Sequence, residues 1–312
     1  WVANHTAWDN PLTEEHPGWY TKDSLGNFTP PVEDWSDVID LNFDVPALRD
    51  YMVNALKYWV KEANIDGYRC DVAGMVPVKF WNRSRKALDS IKPVFMLAEA
   101  NDPVLHKKAF DMTYAWDLHF FMNEVAQGKK DAIQLTKKIE KEKEKYPENA
   151  YRMMFTSNHD ENSWKGSVYE RLGEGTEAFA VLNHTLPGMP LIYSGQEACL
   201  DKRLEFFKKD VIEWKDCEMA ELYTTLNQLK ESNKALWNGK YGGEFNSIET
   251  TNNKDIFAFT REQGEDKIFV LANLTDQPSR FTFKNDEHAG MYKDVFTGKK
   301  ERFTKNTNMK LE

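Results

Sequence analysis

Four short stretches set carboxylates, histidines and an arginine where apolar runs stop. In Gly67-Tyr68-Arg69-Cys70-Asp71 the side chains of an extended segment alternate faces, so Arg69 and Asp71 point one way and Cys70 the other. An arginine two residues from an aspartate can hold the carboxylate ionised and oriented. In Val94-Phe95-Met96-Leu97-Ala98-Glu99 a carboxyl ends an apolar run, where burial raises its pKa and suits a general acid. The stretch Phe155-Thr156-Ser157-Asn158-His159-Asp160 packs a histidine and an aspartate just past another extended run. The chain opens on Val2-Ala3-Asn4-His5, a short apolar entry ending in Asn and His. Each pattern alone has an ordinary explanation, such as a structural ion pair or a side chain that has reached solvent. Together they offer carboxyls able to hold different protonation states at one pH, which cleavage of a glycosidic bond through an oxocarbenium-like state requires.

The elements that must position these residues alternate. Pro46 opens a helical pattern in which Leu48, Met52, Leu56 and Val60 recur every four residues, with Ala55 and Trp59 on the same stripe. A strand-like run follows at Ile65 to Val72, a helix at about 77–91, then the run Val94 to Ala98. Further strands are expected near 111–118, at Tyr151 to Ser157 and at Pro190 to Ser194, with helices at 176–186 and 218–236. The Lys/Glu run within 129–146 alternates sign and reads as a solvated helix face. Residues 6–39 are loop-like, broken by Pro11, Pro17, Pro30 and Pro31 and rich in aromatics. After Gly239 short alternating runs separated by polar turns predict a small β-sandwich over 240–312. Strands alternating with helices imply a parallel sheet or barrel, whose chemistry gathers at the C-terminal strand ends.

Composition narrows the classes. With 312 residues, 41% of them hydrophobic, the chain can bury a sizeable core and is neither disordered nor fibrous. A net charge of −9 with no basic block argues against nucleic acid or anionic lipid as a partner. No apolar run approaches the roughly 20 residues that span a bilayer. Cys70, Cys199 and Cys217 are odd in number and form no disulfide framework, and no pair has C-x-x-C spacing. The first residue is Trp1, so no compartment can be read.

At these residues the sequence resembles the α-amylase family of glycoside hydrolases. The resemblance runs through ordered motifs. Asn4-His5 is similar to the end of the family's first motif, and Asp40-Leu41-Asn42 to the one that closes the inserted domain. Gly67 to Asp71 resembles the nucleophile motif, Glu99 ends the acid motif, and Asn158-His159-Asp160 resembles the fourth. Gly188-Met189-Pro190-Leu191-Ile192-Tyr193-Ser194-Gly195-Gln196-Glu197 is similar to the segment on the last barrel strand. Gly74-Met75 departs from the Lys-His found there in many α-amylases, which puts the leaving-side subsites in question.

The resemblance implies a TIM (β/α)8 barrel over 1–239 with a short inserted segment, 6–39, and a C-terminal antiparallel β-domain over 240–312. It implies Asp71 as nucleophile, Glu99 as acid and base, and Asp160 as the residue that grips sugar hydroxyls in the transition state. His5 and His159 would bind hydroxyls of the same sugar, and Arg69 would keep Asp71 ionised and aimed. The substrate would be an α-1,4-glucan or maltooligosaccharide, cleaved with retention and without a cofactor in the chemistry. Asn4 and Asp40 match positions that suit a structural calcium. An α-glucosidase, a cyclomaltodextrinase or a transglycosylase is a close variant; a non-catalytic sugar-binding relative or an inactive fragment is the rival of another kind. By motif order the chain begins at the end of the third barrel strand. The portion present falls short of the about 250 residues of a typical barrel, so a preceding segment or companion chain is expected to close it.

Overall fold

The computed structural model describes residues 1–312. They group into two compact units, Trp1–Tyr114 and Ala115–Glu312. The 239–240 division drawn from composition lies inside the second.

In the first unit β1 (His5–Ala7) pairs antiparallel with β2 (Val38–Asp40), with His5 opposite Asp40. The proline-broken segment between them forms only α1 (Leu12–Glu15) and a 3-10 turn, Pro17–Trp19. Helix α2 (Pro46–Glu62) starts on a proline, whose missing N–H costs nothing in a first turn. Leu48, Met52, Leu56 and Val60 are buried as their spacing predicts. Trp59 departs from that stripe and is 48% exposed. It precedes Val60 by one residue, about 100° around the helix.

Strands β3 (Gly67–Cys70), β4 (Phe95–Ala98) and β5 (Met112–Tyr114) then pair in parallel, with Arg69 opposite Leu97 and Ala98 opposite Thr113. Helix α3 (Val78–Asp89) connects β3 to β4 and buries Phe80, Trp81 and Leu88. Gly67 is required by close approach, because a Cβ there would run into the Phe95 carbonyl. The opening residues lie along β3. Val2 bridges Asp71 in parallel fashion, the Asp71 N–H donates to the Trp1 carbonyl at 2.8 Å, and the Trp1 ammonium donates to the Arg69 carbonyl at 2.8 Å.

The second unit begins with α4 (Trp116–Ala126), which the sequence reading had assigned in part to a strand. Its aromatic run Trp116, Phe120, Phe121 favours extended structure locally. Burial of Leu118, Met122 and Val125 at spacings of three and four holds the helix. Helix α5 (Ala132–Lys145) opens on a capping box made by Asp131 and Gln134. Its Lys/Glu run is only partly a solvated face. Lys138 turns inward to Asp117 at 2.8 Å, and Asp117 also pairs with Arg152 at 2.9 Å. β6 (Tyr151–Phe155) and β7 (Met189–Leu191) pair in parallel, with α6 (Val168–Leu172) and α7 (Thr176–Thr185) between them. Helix α8 (Glu218–Ser232) follows an irregular segment. Cys199 and Cys217 are disulfide-bonded across that segment, with Cα atoms 6.0 Å apart, and Cys70 is free and buried. A separation of 18 residues carries no sign of this closeness in the sequence.

The remaining strands are antiparallel. β8 (Asn246–Ser247), β9 (Ile256–Gln263) and β10 (Asp266–Asn273) form one sheet. β11 (Ser279–Phe281) pairs with β14 (Met309–Leu311), and β12 (Gly290–Lys293) with β13 (Lys300–Phe303). Phe281, Phe283 and Phe303 fill a core among them. No helix is long and apolar enough to cross a membrane.

Candidate active site

Two adjacent parallel strands bring one arginine to two carboxylates. Arg69, on β3, pairs through Nη1 with Asp71 Oδ1 and through Nη2 with Glu99 Oε1 at 3.0 Å, while its Nε donates to the Tyr114 hydroxyl at 3.1 Å. Burial works against the guanidinium charge, but Tyr114, Glu99 and Asp71 outweigh it and raise its pKa. The strand register explains the meeting. Asp71 follows Cys70, Glu99 follows Ala98, Cys70 and Ala98 are partners, and the Glu99 N–H donates to the Cys70 carbonyl at 3.0 Å.

Glu99 Oε2 accepts the Val72 N–H at 2.8 Å. Val72 has φ of 44°, a left-handed conformation that a β-branched residue adopts only at a cost of about 1–3 kcal/mol. The strained backbone thus aims a donor at Glu99. Tyr114 and the Val72 N–H were not singled out from sequence; strand adjacency is the signal that would have found them.

His5, also in this unit, hydrogen-bonds the Asn4 side chain at 2.7 Å and meets Trp35 edge-on at 5.8 Å. Burial pushes its pKa down, against the pull of Asp71, Asp37 and Asp40. The Asn4 amide nitrogen lies 3.6 Å from Met75 Sδ, and Asp40 Oδ2 accepts the Thr21 hydroxyl at 2.6 Å. These two candidate calcium ligands are therefore engaged by protein groups, well short of the six to eight oxygens calcium takes. No three acid, histidine or cysteine ligand atoms gather at Asn4 and Asp40; Cys199, Cys217 and Glu218 lie close together elsewhere, and two of these are spent in the disulfide. The donor set at Asn4 and Asp40 does not fit the ion.

In the second unit His159 and Asp160 follow β6, with His159 Nε2 3.4 Å from Asp160 Oδ2. Asn158, fully buried, builds the turn that carries them: its Oδ1 accepts the N–H groups of Asp160 at 3.0 Å and Glu161 at 2.8 Å. Beneath lies a buried network. His119 joins the Phe155 carbonyl at 3.0 Å to Glu161 Oε2 at 2.9 Å, and Arg171 donates to Asn123 Oδ1 at 2.9 Å and to the Thr156 carbonyl at 2.7 Å. Burial works against the Glu161 charge, but His119 and Arg171 outweigh it and hold the carboxyl below its usual range. Glu161 stood beside Asp160 in the sequence without an assigned role. Trp116 packs against Phe155 at 4.9 Å and stacks on Phe120 at 5.7 Å, while Trp164 is exposed.

The profile described as alpha amylase, catalytic domain, matches residues 18–268, and that of the maltogenic amylase C-terminal domain matches residues 245–312. The chain belongs to the α-amylase family. Among curated relatives, "Alpha-amylase 2" of Dictyoglomus thermophilum is 26% identical over 326 residues, covering 95% of this chain and 55% of its own length. A cyclomaltodextrinase of a Bacillus species is 28% identical over 247 residues, covering 75% and 43%. The chain thus spans about half the length of these curated relatives. A solved maltogenic α-amylase, AmyB of Thermotoga neapolitana, superposes with a TM-score of 0.87 at 28% identity, over 99% of this chain and 74% of that one. An α-amylase of Lactobacillus plantarum gives 0.83 at 26% identity, over 99% and 74%. The fold class is accordingly that of the α-amylases, a (β/α)8 barrel that this chain supplies in part, with a C-terminal antiparallel β-domain.

Proposed function

We propose that the chain carries the chemistry of a retaining α-1,4-glucan or maltooligosaccharide hydrolase. The observation that carries this reading is one guanidinium paired with both Asp71 and Glu99 at the ends of adjacent parallel strands. Asp71 attacks the anomeric carbon while Glu99 protonates the departing glycosidic oxygen, leaving a glycosyl ester on Asp71. Glu99 then takes a proton from water, whose oxygen displaces Asp71 and restores the starting configuration. Arg69 aims the Asp71 carboxylate. Asp160, His5 and His159 hold sugar hydroxyls, and their grip strengthens as the ring distorts and gains positive charge. The carboxyl separation expected for this route is roughly 5–5.5 Å. A sugar hydroxyl in place of water would give transglycosylation by the same steps, and relatives named cyclomaltodextrinase keep a cyclic substrate in view.

Proton NMR of fresh maltoheptaose digests tests the reading. The α-anomer should appear first, and Asp71→Asn should abolish turnover while oligosaccharide binding persists. Initial β-anomer, or an active Asp71→Asn variant, overturns the nucleophile assignment. A non-catalytic sugar-binding role is disfavoured by the three carboxylates in place. No step runs through a metal. A segment that closes the barrel belongs to the proposal too, and intact mass of the natural protein tests it.

A further inference from the structure

Asp160 opens the single helical turn Glu161–Lys165, and near the end of that turn Trp164 stands in solvent. Phe206 and Phe207, from the segment after β7, pack against it. Ring centroids lie 5.0 Å apart for Trp164 and Phe206, 6.0 Å for Trp164 and Phe207, and 4.9 Å for the two phenylalanines. Despite these contacts Phe207 is 74% exposed, and Trp214 of the same segment is exposed as well. Single exposed apolar residues are ordinary, whereas a contiguous patch rimmed by polar groups marks a contact surface. Charged residues flank the two phenylalanines in sequence and form the exposed pairs Arg203–Glu170, Lys202–Asp210 and Lys208–Glu205.

The segment that brings the two phenylalanines is held in place. The Cys199–Cys217 disulfide joins its ends. The buried Asn162 donates to the Lys202 carbonyl at 2.9 Å and accepts the Leu204 N–H at 2.8 Å. The Ser167 hydroxyl donates to Asp201 at 2.6 Å, and Arg203 forks onto Glu170. A strap of little regular structure is therefore tied to the very turn that begins with Asp160. Rings held in position before a ligand arrives lose little side-chain freedom on binding it.

We propose that Trp164, Phe206 and Phe207 form a stacking platform for the apolar C–H faces of glucose units beyond the bond being cut, so that the site favours longer α-glucans. The inference rests on the glucan-hydrolase reading above. A glucan fits this surface because its rings offer C–H faces to the aromatics and hydroxyls to the flanking charged residues. Its chain would run outward from Asp160, the proposed hydroxyl-binding group on the same turn.

The test compares kcat/KM for maltoheptaose with that for maltotriose. Phe207→Ala and Trp164→Ala should each lower the ratio by about tenfold, through a raised KM for maltoheptaose. Phe296→Ala, an exposed phenylalanine in the C-terminal part of the chain, should leave it unchanged. An unchanged ratio in both platform variants overturns the platform, while continued cleavage keeps the hydrolase reading. If the unsubstituted chain cleaves neither sugar, the hydrolase reading fails and the platform falls with it. If sedimentation shows a dimer that Phe207→Ala dissolves without changing the ratio, the patch is a self-association surface and the platform is overturned.

Discussion

At the scale of single residues, Arg69 has the most demanding position. It pairs with Asp71 and Glu99 and donates to Tyr114 through three different nitrogens of one planar group, a span that a lysine's single nitrogen lacks. Arg69→Lys keeps the charge and loses the fork. We expect kcat to fall by about 100-fold, the scale of losing one preorganised electrostatic contact, with KM changing much less. Steady-state kinetics on a variant whose circular dichroism matches the parent checks this. An equal rise in KM with unchanged kcat would instead make Arg69 a ground-state binding residue. The sequence placed Arg69 and Asp71 on one face of a strand through simple alternation. It did not reveal the bond to Glu99, because that depends on the register between β3 and β4, which no local pattern encodes.

At the scale of elements, the turn after β6 rests on a buried hydrogen bond between His119 and Glu161. Glu161→Ala strips His119 of its carboxylate inside a closed network. Leaving a buried hydrogen-bonding group unpaired costs about 1–3 kcal/mol, so the urea midpoint should drop well beyond the change expected of an exposed substitution. A midpoint within error of the parent would show that the network adds nothing to stability. Helix α8 makes a different prediction. Lys230 donates to the Gly188 carbonyl at 2.9 Å and the Leu236 carbonyl at 2.6 Å, and burial, with Arg261 nearby, pushes its pKa down to about 7. The unfolded chain therefore binds more protons than the folded one between about pH 7 and the ordinary lysine value near 10.4. Through this group stability should rise as pH climbs through that window. Lys230→Met should flatten the dependence, read as Tm against pH; a parent whose Tm falls as steeply as the variant's would refute it.

At the scale of the whole molecule, the legible and illegible parts divide along a physical line. Period-four apolar spacing marked α2, and apolar runs ending in polar residues marked β3, β4 and β6, because burial of one face leaves its trace in local order. Helix α4 was missed because its aromatic residues favour extended structure locally and only their tertiary surroundings decide otherwise. The Cys199–Cys217 bond, the inward turn of Lys138 and the aromatic cluster at Trp164 are pairings between distant residues, and a single sequence does not display them. The acidic balance and the motif order were legible from the outset, since one is a count and the other depends only on sequence order.

Cys70 carries a practical consequence. Its thiol is the only one not tied in a disulfide, it has no solvent exposure, and burial pushes its pKa up to about 12. It sits on β3 between Arg69 and Asp71. An alkylating reagent can reach it only when that strand opens, so the labelling rate clocks local breathing of the nucleophile strand. A bound oligosaccharide that clamps Asp71 should slow the clock, giving an optical readout of occupancy that needs no turnover.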